Sequence, residues 1–271
     1  MNPHSSPSPE SDPPALELKG VTVMALRDPA QSVLQDVNWT VARYDYWAVA
    51  GLLRSGKSDL MALAAGITQP AIGTYHLFGR ELASGFEHEQ LALRLRIGLV
   101  FDGGQLLHDL TLEDNIALPL RYHAGLSVLE INERIRALLE FTGLEPWAER
   151  RPDSINRSWQ QRIGLARALA LRPEVLLLDS PLTGLDPRDA AWWLETVDGL
   201  AAGHPLLGGR PLTLVVTGDD LRPWLAHARR FAVLRSGHFI PIGSRDEVAA
   251  HPETMLEHLA SATRPPAGER N

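Results

Sequence analysis

The chain has 271 residues, 44% hydrophobic and 22% charged, with a formal net charge of −7 and no cysteine. That length carries a full core. The acidic balance argues against a nucleic-acid partner held by phosphate contacts, and the missing thiols exclude disulfides, thiolate zinc sites and thiol catalysis. No uninterrupted apolar run reaches the roughly 18 residues that span a membrane. No basic stretch followed by an apolar run opens the chain, so no signal peptide is expected.

Residues 1–14 hold Pro3, Pro7, Pro9, Pro13 and Pro14 among serines. Such a segment buries no apolar surface and is expected to be a disordered tail. Residues 15–23 alternate loosely as a strand. Residues 33–49 carry β-branched and aromatic residues interrupted at 43–45, which predicts two more strands. Residues 59–65 have helical spacing, and 97–101 is a short apolar strand. Helices are expected over 113–120, 127–141, 159–171 and 190–201, and Ser127 with Glu130 has the spacing of a capping box. Residues 175–178 are wholly apolar, as in a buried parallel strand. Further strands are expected at 212–217 and 231–234, and a closing helix at 246–259. Strands alternating with helices predict an α/β fold, a parallel sheet covered on both faces. The domain is placed at 15–260, with an inserted helical subdomain at about 103–165 and a flexible tail at 261–271.

One loop carries chemistry. Gly51-Leu52-Leu53-Arg54-Ser55-Gly56-Lys57-Ser58 fits G-x-x-x-x-G-K-[ST], and it lies between an apolar strand and a helix, the context that motif needs. Successive backbone N–H groups and a helix N-terminus would cradle phosphates. Lys57 would neutralise β/γ-phosphate charge, and the Ser58 hydroxyl would ligate Mg2+. Only Lys19 and Lys57 are lysines among 26 basic residues, so a chance lysine match is improbable. Asp179, at the end of the apolar run, is suited to hold Mg2+ through a water.

These residues resemble an ATP-binding cassette (ABC) ATPase over about 15–250. The loop at 51–58 resembles the Walker A element and 175–179 the Walker B element. Thr183-Gly-Leu-Asp186 with Pro187 resembles the D-loop, 160–169 the helix after the ABC signature, 212–217 the switch strand, and 233–243 the strand-turn-strand beyond it. The resemblance implies a P-loop (RecA-like) core with an antiparallel β-subdomain and an inserted helical subdomain. It implies ATP and Mg2+ as cofactors, an integral-membrane permease as partner, and a second ABC ATPase subunit forming a homo- or heterodimer. It places the chain in the cytoplasm, peripheral on the inner face of the membrane. Residues 99–120 look most like the ATPases of MCE-linked lipid transporters. In the family, 108–121 lies where the permease's coupling helix docks.

Several positions depart from the family pattern. Ser180 stands where the family has a glutamate after the Walker B aspartate, and a hydroxyl lacks the basicity to activate water. Gly218 stands at the switch histidine, and Asp102 at the glutamine near Mg2+. The signature reads Ile155-Asn156-Arg157-Ser158-Trp159 in place of Leu-Ser-Gly-Gly-Gln, with Arg157 and Trp159 bulky where close approach is needed. Arg54 stands where the loop favours glycine. The adenine-stacking aromatic expected near 24–26 is absent. No catalytic position is intact, whereas Lys57, Ser58 and Asp179 remain. The expectation is ATP binding with weak or no hydrolysis. An active ATPase energising the transporter and a nucleotide-independent scaffold are the alternatives. Trp192 and Trp193 are expected to pack in the core.

Overall fold

The computed structural model describes residues 12–82 and 87–250. Residues 1–11 of the tail expected at 1–14, the tail at 261–271 and the part of the closing helix beyond 250 lie outside the described residues. β1 (Leu16–Met24) and β2 (Ser32–Val41) pair antiparallel, with Leu16 opposite Val41. The break at 43–45 separates β2 from β3 (Tyr46–Gly51), and the loop after β3 leads into α1 (Lys57–Ala64). β4 (Ile72–Leu77) and the two-residue β5 (Arg80–Glu81) complete a four-stranded antiparallel sheet in the order β2-β1-β4-β5. β4, β5 and α2 (Glu87–Arg94) are additions to the elements expected from the sequence.

β6 (Ile97–Val100) starts the parallel part of the second sheet. The inserted helices follow as α3 (Leu112–His123), α4 (Val128–Thr142) and α5 (Arg157–Leu169). The capping box forms as expected: the Ser127 hydroxyl accepts from the Glu130 backbone N–H, and the Glu130 carboxylate accepts from the Ser127 N–H. β7 (Val175–Leu178), α6 (Pro187–Ala202), β8 (Thr213–Gly218), β9 (Arg230–Arg235), β10 (His238–Ser244) and α7 (Arg245–Ala250) close the described chain. The second sheet runs β10-β9-β3-β8-β7-β6; its neighbours pair in parallel from β9 to β6, and β10 returns antiparallel.

Strand alternation divides the core. Ala48, Leu176, Leu178, Leu214 and Val216 face one side, against α3 to α6. Trp47, Val49, Leu177 and Val215 face the other, against α1 and the antiparallel sheet. β7 is buried on both faces, which is why its sequence is a continuous apolar run. Trp193 is fully buried, and Trp192 packs edge-on against it, as expected. Each fully buried Val, Leu, Ile, Phe or Met of this core contributes about 1.5–3 kcal/mol.

An ionic clamp ties the two sheets at the edge opposite the loop. Glu174 accepts from Arg96 at 2.7 and 2.9 Å and from Arg43 at 3.1 Å. The Arg96 guanidinium lies 3.6 Å from the centre of the Phe78 ring, which follows β4. The Arg96 hydrogen bond holds the Glu174 carboxyl below its ordinary value of 4.5. A depressed carboxyl pKa stabilises the fold above the ordinary value and loses that contribution as the pH falls through it. Glu174→Gln is therefore expected to cost about 1 kcal/mol at neutral pH. In acid denaturation series the difference from the parent is expected to shrink below about pH 4.5.

Candidate functional site

Gly51 ends β3, and five residues later the chain turns into α1. A side chain on Gly51 would collide with the Ser55 hydroxyl, so the turn closes over a bare backbone. Gly56 caps α1 at φ +93°, a region that glycine occupies without strain. Arg54 takes φ +63°, the left-handed conformation expected to be strained there. Such a non-glycine residue costs about 1 kcal/mol or more. Leu53 is 86% exposed at the tip.

Parallel pairing brings three strand ends to this loop. Ala50 is level with Gly218, and Leu178 with Val216. Asp179, 2% exposed, therefore sits beside α1. The Ser58 hydroxyl donates to its Oδ2 at 2.5 Å, and the Thr217 hydroxyl to its Oδ1 at 2.8 Å. The Ser180 backbone N–H donates to Thr217 Oγ1 at 3.0 Å, and the Ser180 hydroxyl lies 3.4 Å from Asp179. Lys57, also buried, donates to the carbonyls of Gly51 at 2.5 Å and Leu52 at 3.0 Å and to Asp219 Oδ1 at 2.8 Å. The structure thus brings Lys57, Ser58 and Asp179 together, as the sequence led us to expect. Thr217 and Asp219 were not foreseen as site residues. The available signal was their place at the end of β8, flanking Gly218.

The other departures form a second group. Asp102, in the loop after β6, makes an ion pair with Arg157 in the first turn of α5. The sequence treats these as two unrelated losses, yet their charges are complementary and they meet. Asn156 caps α5 by accepting from the Trp159 N–H at 2.9 Å. Ser158 is buried, and its hydroxyl has no partner among the described residues. Trp159 is half-buried and packs edge-on against Trp147 at 5.2 Å. Arg167 donates to the carbonyls of Gly104 at 2.8 Å and Gln105 at 3.0 Å, and Gly104 packs directly on Gly164. The loop after β6 and α5 are therefore fastened at both ends.

A glycine-rich loop between a buried strand and a helix, with lysine, serine and a strand-end aspartate converging on it, defines a P-loop nucleotide-binding cassette. Residues 34–183 match the ABC transporter family, and the chain belongs to it. The pyoverdine export ATP-binding/permease protein PvdT of Pseudomonas aeruginosa is 33% identical over 234 residues, covering 85% of this chain and 34% of that protein. The methionine import ATP-binding protein MetN of Leifsonia xyli is 31% identical, covering 88% of this chain and 68% of that one. The putrescine transport ATP-binding protein PotG of Escherichia coli is 32% identical, covering 89% and 60%. The chain thus spans about a third to two thirds of the length of these relatives. Among solved structures, the ATP-binding cassette MJ0796, a dimer bound to ADP and phosphate, superposes with a TM-score of 0.72 at 25% identity, covering 82% of this chain and 95% of that one. The cbiO1 structure from Clostridium perfringens, part of the ABC transporter complex cbiONQ, shares the fold with a TM-score of 0.73 at 22% identity, covering 91% of this chain and 94% of that one.

The fastening of the loop to α5 can be tested. Gly104 has φ +76°, and a Cβ there would collide with the Gln160 carbonyl, a backbone atom that cannot swing away. Gly104→Ala is expected to lower stability by about 2 kcal/mol or more, read as a drop in Tm. Gly125→Ala is the comparison: it also has positive φ, but its Cβ meets nothing within 4 Å. Strain alone limits its cost to about 1 kcal/mol.

Proposed function

We propose that this chain is the ATP-binding subunit of a membrane ABC transporter, and that it binds ATP with Mg2+ and turns it over slowly. The observation that carries the reading is the Ser58–Asp179 contact at 2.5 Å beside a buried Lys57, with a serine at position 180. The backbone of 51–56 and the start of α1 would hold the phosphates, Lys57 would meet the β/γ-oxygens, and Ser58 and Asp179 would hold the metal. Bound Mg2+ would supply charge neutralisation across the terminal phosphates.

The same residues account for slow turnover. Ser180 has a hydroxyl of ordinary acidity beside a carboxylate that already serves Ser58 and Thr217. Loss of a general base costs about 10²–10⁴ in rate. Gly218 puts no side chain near the γ-phosphate, and Asp102 is engaged by Arg157. In a homodimer both composite sites would share these losses. Beside an intact second subunit, each site would carry one altered half.

Support for a permease partner is a groove of about 360 Å3 between β6, α3 and α5, lined by Leu99, Leu118, Pro119, Tyr122, Arg167 and Leu171. Tyr122 there is 76% exposed. Among the described residues no helix is long and apolar enough to cross a membrane, so attachment to one would come through that partner. The inner, cytoplasmic face of the membrane belongs to this proposal. The lipid cargo suggested by 99–120 does not: relatives named for methionine, putrescine and pyoverdine share the cassette, and nothing in the site reads a cargo.

Calorimetric titration of the purified chain with ATP·Mg, followed by steady-state phosphate release, tests the reading. Lys57→Ala is expected to weaken binding tenfold or more, by about 1.4 kcal/mol or above. Ser180→Glu combined with Gly218→His is expected to raise turnover about 10²-fold. A Cβ at 218 meets nothing closer than 3.6 Å, so the backbone there admits a side chain. Brisk turnover that needs Lys57 and ignores Ser180→Glu would mark an ordinary ATPase. Binding or assembly indifferent to Lys57→Ala would mark a scaffold.

A further inference from the structure

Lys57 has no free donor. An ammonium carries three N–H donors and no acceptor. Here they go to the carbonyls of Gly51 and Leu52 and to the carboxylate of Asp219. The three acceptors are not equivalent. The two carbonyls belong to the loop itself and cannot leave without unwinding it. Asp219 is a side chain on another strand end, 58% exposed against 9% for the lysine side chain. Any phosphate oxygen that meets Lys57 must replace one acceptor, and the exposed carboxylate is the one able to turn away.

The placement follows from register. β3 and β8 pair in parallel with Ala50 level with Gly218, so the next residue of β8 stands beside Gly51, where the loop begins. Gly218 has no side chain to intervene. The following carboxylate, Asp220, is held by Arg222, at 2.6 Å from Nη2 and with a backbone N–H at 2.9 Å. Two adjacent aspartates therefore have different tasks, and Asp219 is the one on the lysine.

We propose that Asp219 acts as a built-in competitor for the phosphate lysine, setting the nucleotide affinity of the site by occupying the donor that a β- or γ-phosphate oxygen would take. The inference rests on the nucleotide-binding reading above. Binding exchanges one anion for another on the same ammonium, and the displaced carboxylate then faces the incoming phosphates as a like charge. Both effects reduce the affinity for ATP and ADP. Neither is expected to act on AMP, which has no β- or γ-phosphate to compete for Lys57.

Two measurements separate this inference from the reading beneath it. The first needs no nucleotide. The chain has two lysines, and Lys19 is 61% exposed on its side chain, so amine acylation read by mass spectrometry resolves them with Lys19 as the internal standard. Asp219→Asn is expected to raise Lys57 labelling severalfold relative to Lys19, with Asp220→Asn matching the parent. The second is titration with ATP·Mg, ADP·Mg and AMP. Asp219→Asn is expected to tighten ATP and ADP about tenfold, to leave AMP unchanged, and to lose the gain when Lys57→Ala is added. Asp220→Asn controls for net charge, and thermal melting confirms the fold of each variant. Unchanged labelling, or ATP binding by Asp219→Asn no tighter than the parent's, overturns the inference. If the parent still binds ATP through Lys57 in that case, the nucleotide reading stands. If neither the parent nor Asp219→Asn binds ATP, both fall.

Discussion

A carboxylate at 2% exposure has to be met by hydrogen bonds, and the way Asp179 meets them sets the rest of the site. Its partners are hydroxyls from three places in the chain: Ser58 on α1, Thr217 on β8 and, at longer range, Ser180 beside it. Each can reach it only if β3, β7 and β8 end at the same level. The parallel register of those strands supplies that condition, and the fully apolar β7 between its neighbours enforces it. A one-residue slip would turn every side chain of a strand to the opposite face. It would leave Asp179 buried without its partners, a penalty of several kcal/mol. Core packing and site geometry are thus one constraint.

Charge is distributed around this centre by pairing within the chain. Lys57 is matched by Asp219, and Arg157 by Asp102. Each carboxylate stands at or next to a position where the family resemblance leads one to expect a neutral or histidine side chain. The folded chain therefore pairs both cations with its own carboxylates. The Asp102–Arg157 pair has a mechanical side too. Together with the Gly104–Gly164 packing and the Arg167 hydrogen bonds, it makes the loop after β6 and the start of α5 one piece.

Much of this fold was legible along the chain, where local chemistry decides. The capping box at Ser127 and Glu130, the apolar run of β7, the loop at 51–58 and the break between β2 and β3 all fell where sequence patterns put them. β4, β5 and α2 were not foreseen. β4 is exposed over its first three residues and alternates only at its end, and β5 has two residues whose partners lie on β4. A strand whose stability comes from pairing leaves a weak imprint on its own sequence. The direction that Trp159 takes was hidden for a related reason. Its bulk is plain in the sequence, but the direction it takes depends on Trp147 being there to receive it.

The sequence by itself determined the class of fold and the loop with Lys57 and Ser58, and it carries Ser180, Gly218 and Asp102 where the family resemblance leads one to expect glutamate, histidine and glutamine. Those facts are residue types at fixed spacing, which a linear pattern carries in full. Only the tertiary structure decided which charge answers which. Lys57 and Asp219 are 162 residues apart. Their contact depends on β8 lying beside β3 in one register, and the Asp102–Arg157 contact on α5 approaching the loop after β6 closely enough to need glycine on both sides. Hydrogen bonds and ion pairs act over a few ångströms in space, and strand register and helix approach alone bring distant positions within that reach.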